Sequence, residues 1–203
     1  MDVAEQPPIE IEAKFSLSSP EILARLEKQS VVLPGYRLGA VSRKEVVDVY
    51  LDTPERRLLR TGYQLRTRVV DDEWWVTFKT REVGSDVGIY RRVEIEERLA
   101  ENAFPAKVEN LPATIVEALA GIVAKPELLD VLCVLEQTRQ VRAVTSTTRG
   151  HRRSAAAPLA MLSLDEIRIR QQREGALLAR AYEIEIELVP GVDVAELQVL
   201  ADR

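Results

Sequence analysis

The sequence predicts an α+β protein: an antiparallel sheet of about eight strands, apolar on the face that short helices cover and charged on the other, with carboxylate-lined strands at both ends of the chain that suggest a sheet closing on itself around a charged interior. Three observations predict it. Residues 9–15, IEIEAKF, alternate with period 2, so a strand sends Ile9, Ile11, Ala13 and Phe15 to one face and Glu10, Glu12 and Lys14 to the other. The pattern returns at the far end, where residues 182–188 set Glu183, Glu185 and Glu187 on one face. Between these carboxylate-lined strands lie further alternating segments whose charged faces carry arginine and lysine.

After the opening strand, Ser18 stands three residues before Glu21 in capping-box spacing, and Pro20 suits a first helical turn. Ile22, Leu23 and Leu26 then mark an amphipathic helix to about Ser30. Residues 45–52, EVVDVYLD, read as a strand. Asp52-Thr53-Pro54 reads as a turn and cap for a short helix through Leu58 and Leu59, which Gly62 ends. Two strands follow around a turn at Asp71-Asp72. Residues 63–70 gather Gln64, Arg66 and Arg68 on one face, and residues 74–81 gather Trp75, Thr77, Lys79 and Arg81. Trp74 and Trp75 must point opposite ways, Trp74 into the apolar outer layer and Trp75 onto the charged face.

Gly84 to Gly88 reads as a loop, and residues 89–98 form a strand with Tyr90, Arg92, Glu94 and Glu96 together. Leu111-Pro112 opens a helical run with Ile115, Val116, Leu119 and Ile122 that ends near Pro126. Residues 132–144 are strand-like and present Arg139, with Arg142 as the alternative. A polar hairpin or loop follows, whose Arg149, His151, Arg152 and Arg153 read as solvated. Residues 159–170 and 181–189 complete the strands, and Asp193 with Glu196 caps a closing helix.

Composition bounds the function. The chain has 203 residues, 46% hydrophobic and 30% charged, enough for one substantial core. A net charge of −5 gives no basic footprint for nucleic acid. The single cysteine, Cys133, excludes an intramolecular disulfide framework and a Cys-rich zinc site, and reads as a small core residue. No apolar run reaches the ~18 residues of a membrane span, and MDVAEQPP has no signal-peptide core, so a cytoplasmic protein is expected.

The charged faces are too rich for a dry core, whereas the opposite faces are apolar: Ile9, Ile11, Phe15, Leu65, Val69, Trp74, Val76, Phe78, Ile184, Ile186 and Leu188. Two arrangements accommodate this. One is a barrel with apolar outer walls under helices and a hydrated charged tunnel; the other is an open sheet with its charged face in solvent. Glutamates two apart on a strand sit about 6.5–7 Å apart, where like charges at an effective dielectric of ~20 repel by roughly 2–2.5 kcal/mol. Confined together they need basic neighbours or a hard divalent cation. Arginine and lysine beside such a cation suit phosphate.

Six motifs in order carry a resemblance: Glu10-Ile11-Glu12-Ala13-Lys14 (ExExK), Tyr50-Leu51-Asp52-Thr53-Pro54 (YxDTP), Leu65-Arg66-Thr67-Arg68 (LRxR), Thr77-Phe78-Lys79 (TxK), Arg92-Val93-Glu94 (RxE), and Leu164-Asp165 with the Glu183–Leu188 strand. Over roughly residues 8–203 the chain resembles the CYTH domains, the triphosphate tunnel metalloenzymes. The resemblance implies an eight-stranded antiparallel tunnel. Glu10 and Glu12, with Glu185 and either Glu183 or Glu187, would hold Mg2+ or Mn2+; Glu94 and Asp165 are further metal candidates. Lys14, Arg66, Arg68, Lys79, Arg92 and Arg139 would bind phosphate oxygens, and Glu10, Glu12 and Lys79 would be the residues catalysis requires. The implied activity is hydrolysis of a triphosphate, inorganic triphosphate first. The alternatives are a class IV type adenylate cyclase and a non-catalytic polyphosphate- or nucleotide-binding module. Residues 1–7 are expected to be a flexible tail and residues 8–203 one domain, read as the front part of a longer chain. A small triphosphate or polyphosphate is the expected partner, with a homodimer as the assembly the family tendency implies and no nucleic acid or membrane.

Overall fold

Closure decides between the two arrangements, and the computed structural model closes the sheet. It describes residues 9–28, 34–81, 88–100, 107–123, 127–147 and 157–202. The expected tail at residues 1–7, most of the loop at 84–88 and the basic residues Arg149, His151, Arg152 and Arg153 lie outside the described residues. In chain order the elements are β1 (Ile9–Leu17), α1 (Pro20–Glu27), β2 (Tyr36–Leu38), β3 (Ser42–Asp52), α2 (Arg57–Thr61), β4 (Gln64–Val70), β5 (Glu73–Lys79), β6 (Ile89–Arg98), a 3-10 turn (Val108–Asn110), α3 (Ala113–Ala118), β7 (Asp130–Ser146), β8 (Ala160–Arg170), β9 (Leu177–Leu188) and α4 (Val194–Ala201).

Neighbours around the sheet run β7, β3, β4, β5, β6, β1, β9, β8 and back to β7, and the pairings are antiparallel. The two glutamate-rich strands lie side by side, with Glu12 opposite Glu187 and Lys14 opposite Glu185. β2 is a ninth strand that the sequence did not disclose, because three residues carry no alternation. It pairs with the end of β7 beyond β3, and the Gly39 amide donates to the Ala143 carbonyl at 2.8 Å between them. β9 starts at Leu177 rather than Ala181; its exposed first turn of chain is held by backbone pairing to β8, not by apolar periodicity.

The apolar faces point outward into two separate cores. α1 and α4 lie on β1, β8 and β9, burying Leu23, Leu197 and Leu200 against Ala13, Leu162, Leu164 and Ile186. On another flank α2, the 3-10 turn and α3 bury Leu58, Val108, Ile115 and Leu119 against Leu51, Leu65, Val76 and Phe78. Tyr63 stacks on Phe78 with ring centroids 5.6 Å apart. Each fully buried leucine contributes about 1.5–3 kcal/mol relative to exposure.

Local signals explain the boundaries. The residue preceding α1 is Ser19 rather than Ser18, since Pro20 is itself the first helical residue, and Ser19 makes no side-chain cap bond. Asp52 caps α2: its Oδ1 accepts from the Thr53 and Leu58 amides at 2.7 and 2.9 Å, and its Oδ2 from the Leu59 amide at 3.0 Å. Gly62 then ends the helix at φ 80, in the left-handed region. Asp71 and Asp72 have φ 52 and 62, the mirror-type hairpin geometry that aspartate tolerates. Asp193 caps α4 through the Ala195 amide at 2.9 Å, while the Glu196 carboxylate turns to accept from the Tyr36 hydroxyl at 2.9 Å, fastening α4 to β2. Among the described residues no helix is long and apolar enough to cross a membrane.

Candidate active site

Inward positions of the eight barrel strands enclose a cavity of about 390 Å3. β1 directs Glu10, Glu12 and Lys14 into it because alternate residues Ile11 and Ala13 are drawn into the outer core. β4 supplies Arg66 and Arg68, β5 Lys79, β6 Arg92 and Glu94, β7 Arg139, and β9 Glu183, Glu185 and Glu187. Asp165 is fully buried in the wall behind Arg139.

The cations and carboxylates form three clusters. In the first, Lys79 Nζ donates to both Glu10 oxygens at 2.7 and 2.9 Å and lies 3.2 Å from Glu94. Arg92 donates to Glu10 at 2.9 Å through Nε and to Glu12 through Nη2. In the second, Lys14 Nζ lies 2.6 Å from Glu183 and 2.9 Å from Glu185. Arg139 forks onto Asp165 at 2.8 and 2.7 Å and reaches Glu185 at 2.6 Å. In the third, Arg66 and Arg68 converge on Asp48.

These neighbours set the charge states. Burial alone would raise Glu10, but Lys79 and Arg92 overcome it and hold the carboxyl at about 2. Arg139 and Lys14 do the same for Glu185, also at about 2 against the effect of burial. Burial raises Glu12, helped by Glu10 and Glu185, and raises Glu94, helped by Glu10. Glu187 goes furthest: the surrounding wall and the carboxylates of Glu10, Glu94 and Glu12 push it up to about 7, although its side chain is still exposed at the end of the strand. Among the described residues it is the β9 glutamate without an ion pair.

The donor chemistry fits a hard divalent cation. Among the described residues eight carboxylates line the cavity against six cations, and the lining holds no histidine or cysteine. Oxygen donors with an excess of negative charge suit Mg2+ or Mn2+. No three acidic side chains among the described residues are already gathered into a ligand shell; most are held by lysine or arginine instead. A cation would therefore enter by exchange with Lys79 or Arg92 at Glu10 and Glu12.

Arg139 faces the cavity and Arg142 does not. Three residues apart on one strand, they take opposite faces, and Arg142 Nε donates to the Gly39 carbonyl at 3.0 Å. Trp75 shares the inward face with Lys79 but sits outside the cavity, 5.9 Å from the Arg98 guanidinium. Trp74 faces outward, with Arg173 5.8 Å above its ring. Cys133 shares the face of Leu135, Gln137 and Arg139 and is half-buried rather than a residue of either outer core; burial pushes its thiol up. Asp48 and Gln137, which no motif above contains, line the cavity as well, and so does Tyr50 of the YxDTP motif. The signal was the parity of EVVDVYLD, in which Asp48 and Tyr50 alternate with Val47, Val49 and Leu51.

A family model for the CYTH domain matches residues 8–200. Among solved structures, an adenylyl cyclase candidate from Hippeastrum, described as having a dominant triphosphatase activity, is 20% identical with a TM-score of 0.60; the alignment covers 95% of this chain and 84% of that one. A candidate adenylate cyclase from Bacillus halodurans is 18% identical with a TM-score of 0.60, covering 96% and 87%. The mimivirus capping-enzyme triphosphatase is 12% identical with a TM-score of 0.51, covering 97% and 87%. At these identities the likeness is one of fold. No curated protein sequence matches.

Proposed function

Since the chain belongs to the CYTH family, we propose that it is a divalent-metal-dependent hydrolase of triphosphates, with inorganic triphosphate as its substrate. One observation carries this reading: a cavity inside the closed barrel that holds six cations able to grip phosphate and an excess of carboxylates able to hold a metal. Glu10, Glu12 and Glu94 with Glu185 and Glu187 are the proposed metal holders, and Glu183 and Asp165 are the further candidates; Glu187 is free of an ion pair among the described residues, whereas Lys14 binds both Glu183 and Glu185 and Arg139 binds both Glu185 and Asp165, so these three would have to exchange a cation for the metal. Bound Mg2+ or Mn2+ would screen the triphosphate and polarise its terminal phosphoryl group.

The chain's own residues do the rest. Lys14, Arg66, Arg68, Lys79, Arg92 and Arg139 neutralise the non-bridging oxygens, and because the strands fix them before substrate arrives, little reorganisation opposes charge stabilisation in the transition state. When Lys79 and Arg92 exchange Glu10 and Glu12 for phosphate, these carboxylates become available to the metal. The glutamates not so engaged can orient an attacking water in line with the terminal phosphoanhydride. No protein nucleophile is needed.

The description of the Bacillus halodurans structure as a candidate adenylate cyclase favours a second reading, in which a ribose 3′-hydroxyl replaces water and ATP is cyclised, whereas the dominant triphosphatase activity described for the Hippeastrum protein favours the first. Incubation with inorganic triphosphate, ATP and thiamine triphosphate, each with Mg2+ or Mn2+, separates the two. Phosphate release from inorganic triphosphate supports the hydrolase, and pyrophosphate with cyclic AMP from ATP supports the cyclase. No product with any metal overturns both.

A further inference from the structure

We propose that Asp48 is a positioning residue that holds the Arg66 and Arg68 guanidinium groups in place for the substrate's phosphates. The inference rests on the triphosphate reading above and concerns a residue outside the six family motifs. The Asp48 carboxylate is 1% exposed and accepts four hydrogen bonds. Arg68 donates side-on, Nε to Oδ1 at 2.7 Å and Nη2 to Oδ2 at 2.8 Å. Arg66 Nη1 donates to Oδ2 at 3.2 Å, and Gln137 Nε2 to Oδ2 at 2.8 Å. A carboxylate has about four acceptor sites, so these donors leave Asp48 little capacity to hold a metal or to take a proton from water.

Its position sets it apart from the other acids of the cavity. Lys14, Lys79, Arg92 and Arg139 are paired with glutamates on β1, β6 and β9 that a metal would compete for. Asp48 lies across the barrel on β3, directly opposite Arg68 on β4 and next to β7, and ties side chains of three strands together. Among the described residues Arg68 pairs with Asp48 alone, while Arg66 also reaches Glu94 at 3.7 Å, so a metal drawing Glu94 away would leave Asp48 as the carboxylate holding both arginines. The side-on fork commits one edge of the Arg68 guanidinium and leaves Nη1 for a ligand in the cavity that both arginines line. Without Asp48, two adjacent arginines would repel and swing apart, and the spacing of their N–H groups would no longer match neighbouring phosphates.

The test compares wild type, Asp48→Asn, Arg68→Ala and the double variant in steady-state hydrolysis of inorganic triphosphate with Mg2+, alongside the rise in melting temperature that triphosphate confers. Asp48→Asn should melt cooperatively and lose about 10–100-fold in kcat/KM, mostly as a rise in KM, with weaker thermal protection. In the Arg68→Ala background the same change should cost at least ~3-fold less, because its effect runs through that arginine. Equal costs in both backgrounds, or an unchanged KM, overturn the assignment. If Asp48→Asn fails to fold, Gln137→Leu decides: removing one of the four donors should raise KM by roughly 3–10-fold, and no rise overturns the proposal. A wild type that is protected by triphosphate yet hydrolyses none overturns the hydrolase reading alone, and the protection series then decides on Asp48. A wild type neither protected nor active overturns both.

Discussion

Glu187→Gln should stabilise the metal-free protein at alkaline pH. Glu187 faces Glu12 directly across the β1–β9 pair, and the wall together with Glu10, Glu94 and Glu12 moves its carboxyl from 4.5 to about 7. The folded state thus holds this proton more tightly than the unfolded chain does. The penalty for charging Glu187 is absent below pH 4.5, grows as pH rises through the window to 7, and is complete above it. Taken whole the displacement would correspond to roughly 3.4 kcal/mol. The side chain is exposed, however, so solvent screening reduces the effect to about 1 kcal/mol. Glutamine keeps the shape and removes the charge. In EDTA at pH 8 the variant should therefore melt about 2–4 °C above wild type. At pH 4, below both values, where folded and unfolded wild type alike carry the proton, the two should melt together. Saturating Mg2+ should narrow the difference at pH 8 by supplying the positive charge the cavity lacks. A variant that melts at or below the wild-type temperature in EDTA at pH 8 would refute the picture of an uncompensated carboxylate cluster.

Glu12→Ala should reduce phosphate release by at least ~100-fold while a cooperative melt persists; unchanged turnover would remove Glu12 from the site. Lys79→Ala should raise KM for triphosphate by about 10-fold or more and, by leaving Glu10 and Glu94 less compensated, cost about 1–3 kcal/mol of stability in urea unfolding. Global unfolding of that variant would mean that Lys79 is structural. Glu10 and Glu185, both held at about 2, contribute stability that is present above pH 4.5 and lost as pH falls toward 2. Replacing Arg139 with methionine should therefore move the acid-unfolding midpoint, followed by circular dichroism, to higher pH.

Strands with clean alternation were legible because burial of one face imposes period 2 directly on the sequence; β1, β4 and β6 are of this kind. The same parity placed Glu10, Glu12, Lys14, Arg66, Arg68, Arg92, Glu94 and Glu185 on the inward face before closure was known. What was not legible depends on contacts distant in sequence. Pairing of β7 with β8 closes the barrel, and no local pattern encodes it. Arg139 and Arg142 became distinguishable once the register of β7 against β3 was fixed. Asp48 was hidden because one aspartate among valines looks like a surface residue; only two arginines and a glutamine from adjoining strands reveal it as buried. Ser18 has the capping-box spacing without the cap position, since the helix begins at the proline that follows Ser19.

The two outer cores sit on the backs of the strands whose fronts face the cavity. Leu65 is anchored in one of them while its neighbours Gln64 and Arg66 point the other way, and Ile186 is anchored in the other between Glu185 and Glu187. Cohesion and chemistry are therefore written on alternate letters of the same segments. Over evolutionary time the inward letters can be exchanged while the outward letters keep the architecture. Divergence at the level of 20% identity with the fold retained is what such an interleaved division of labour permits.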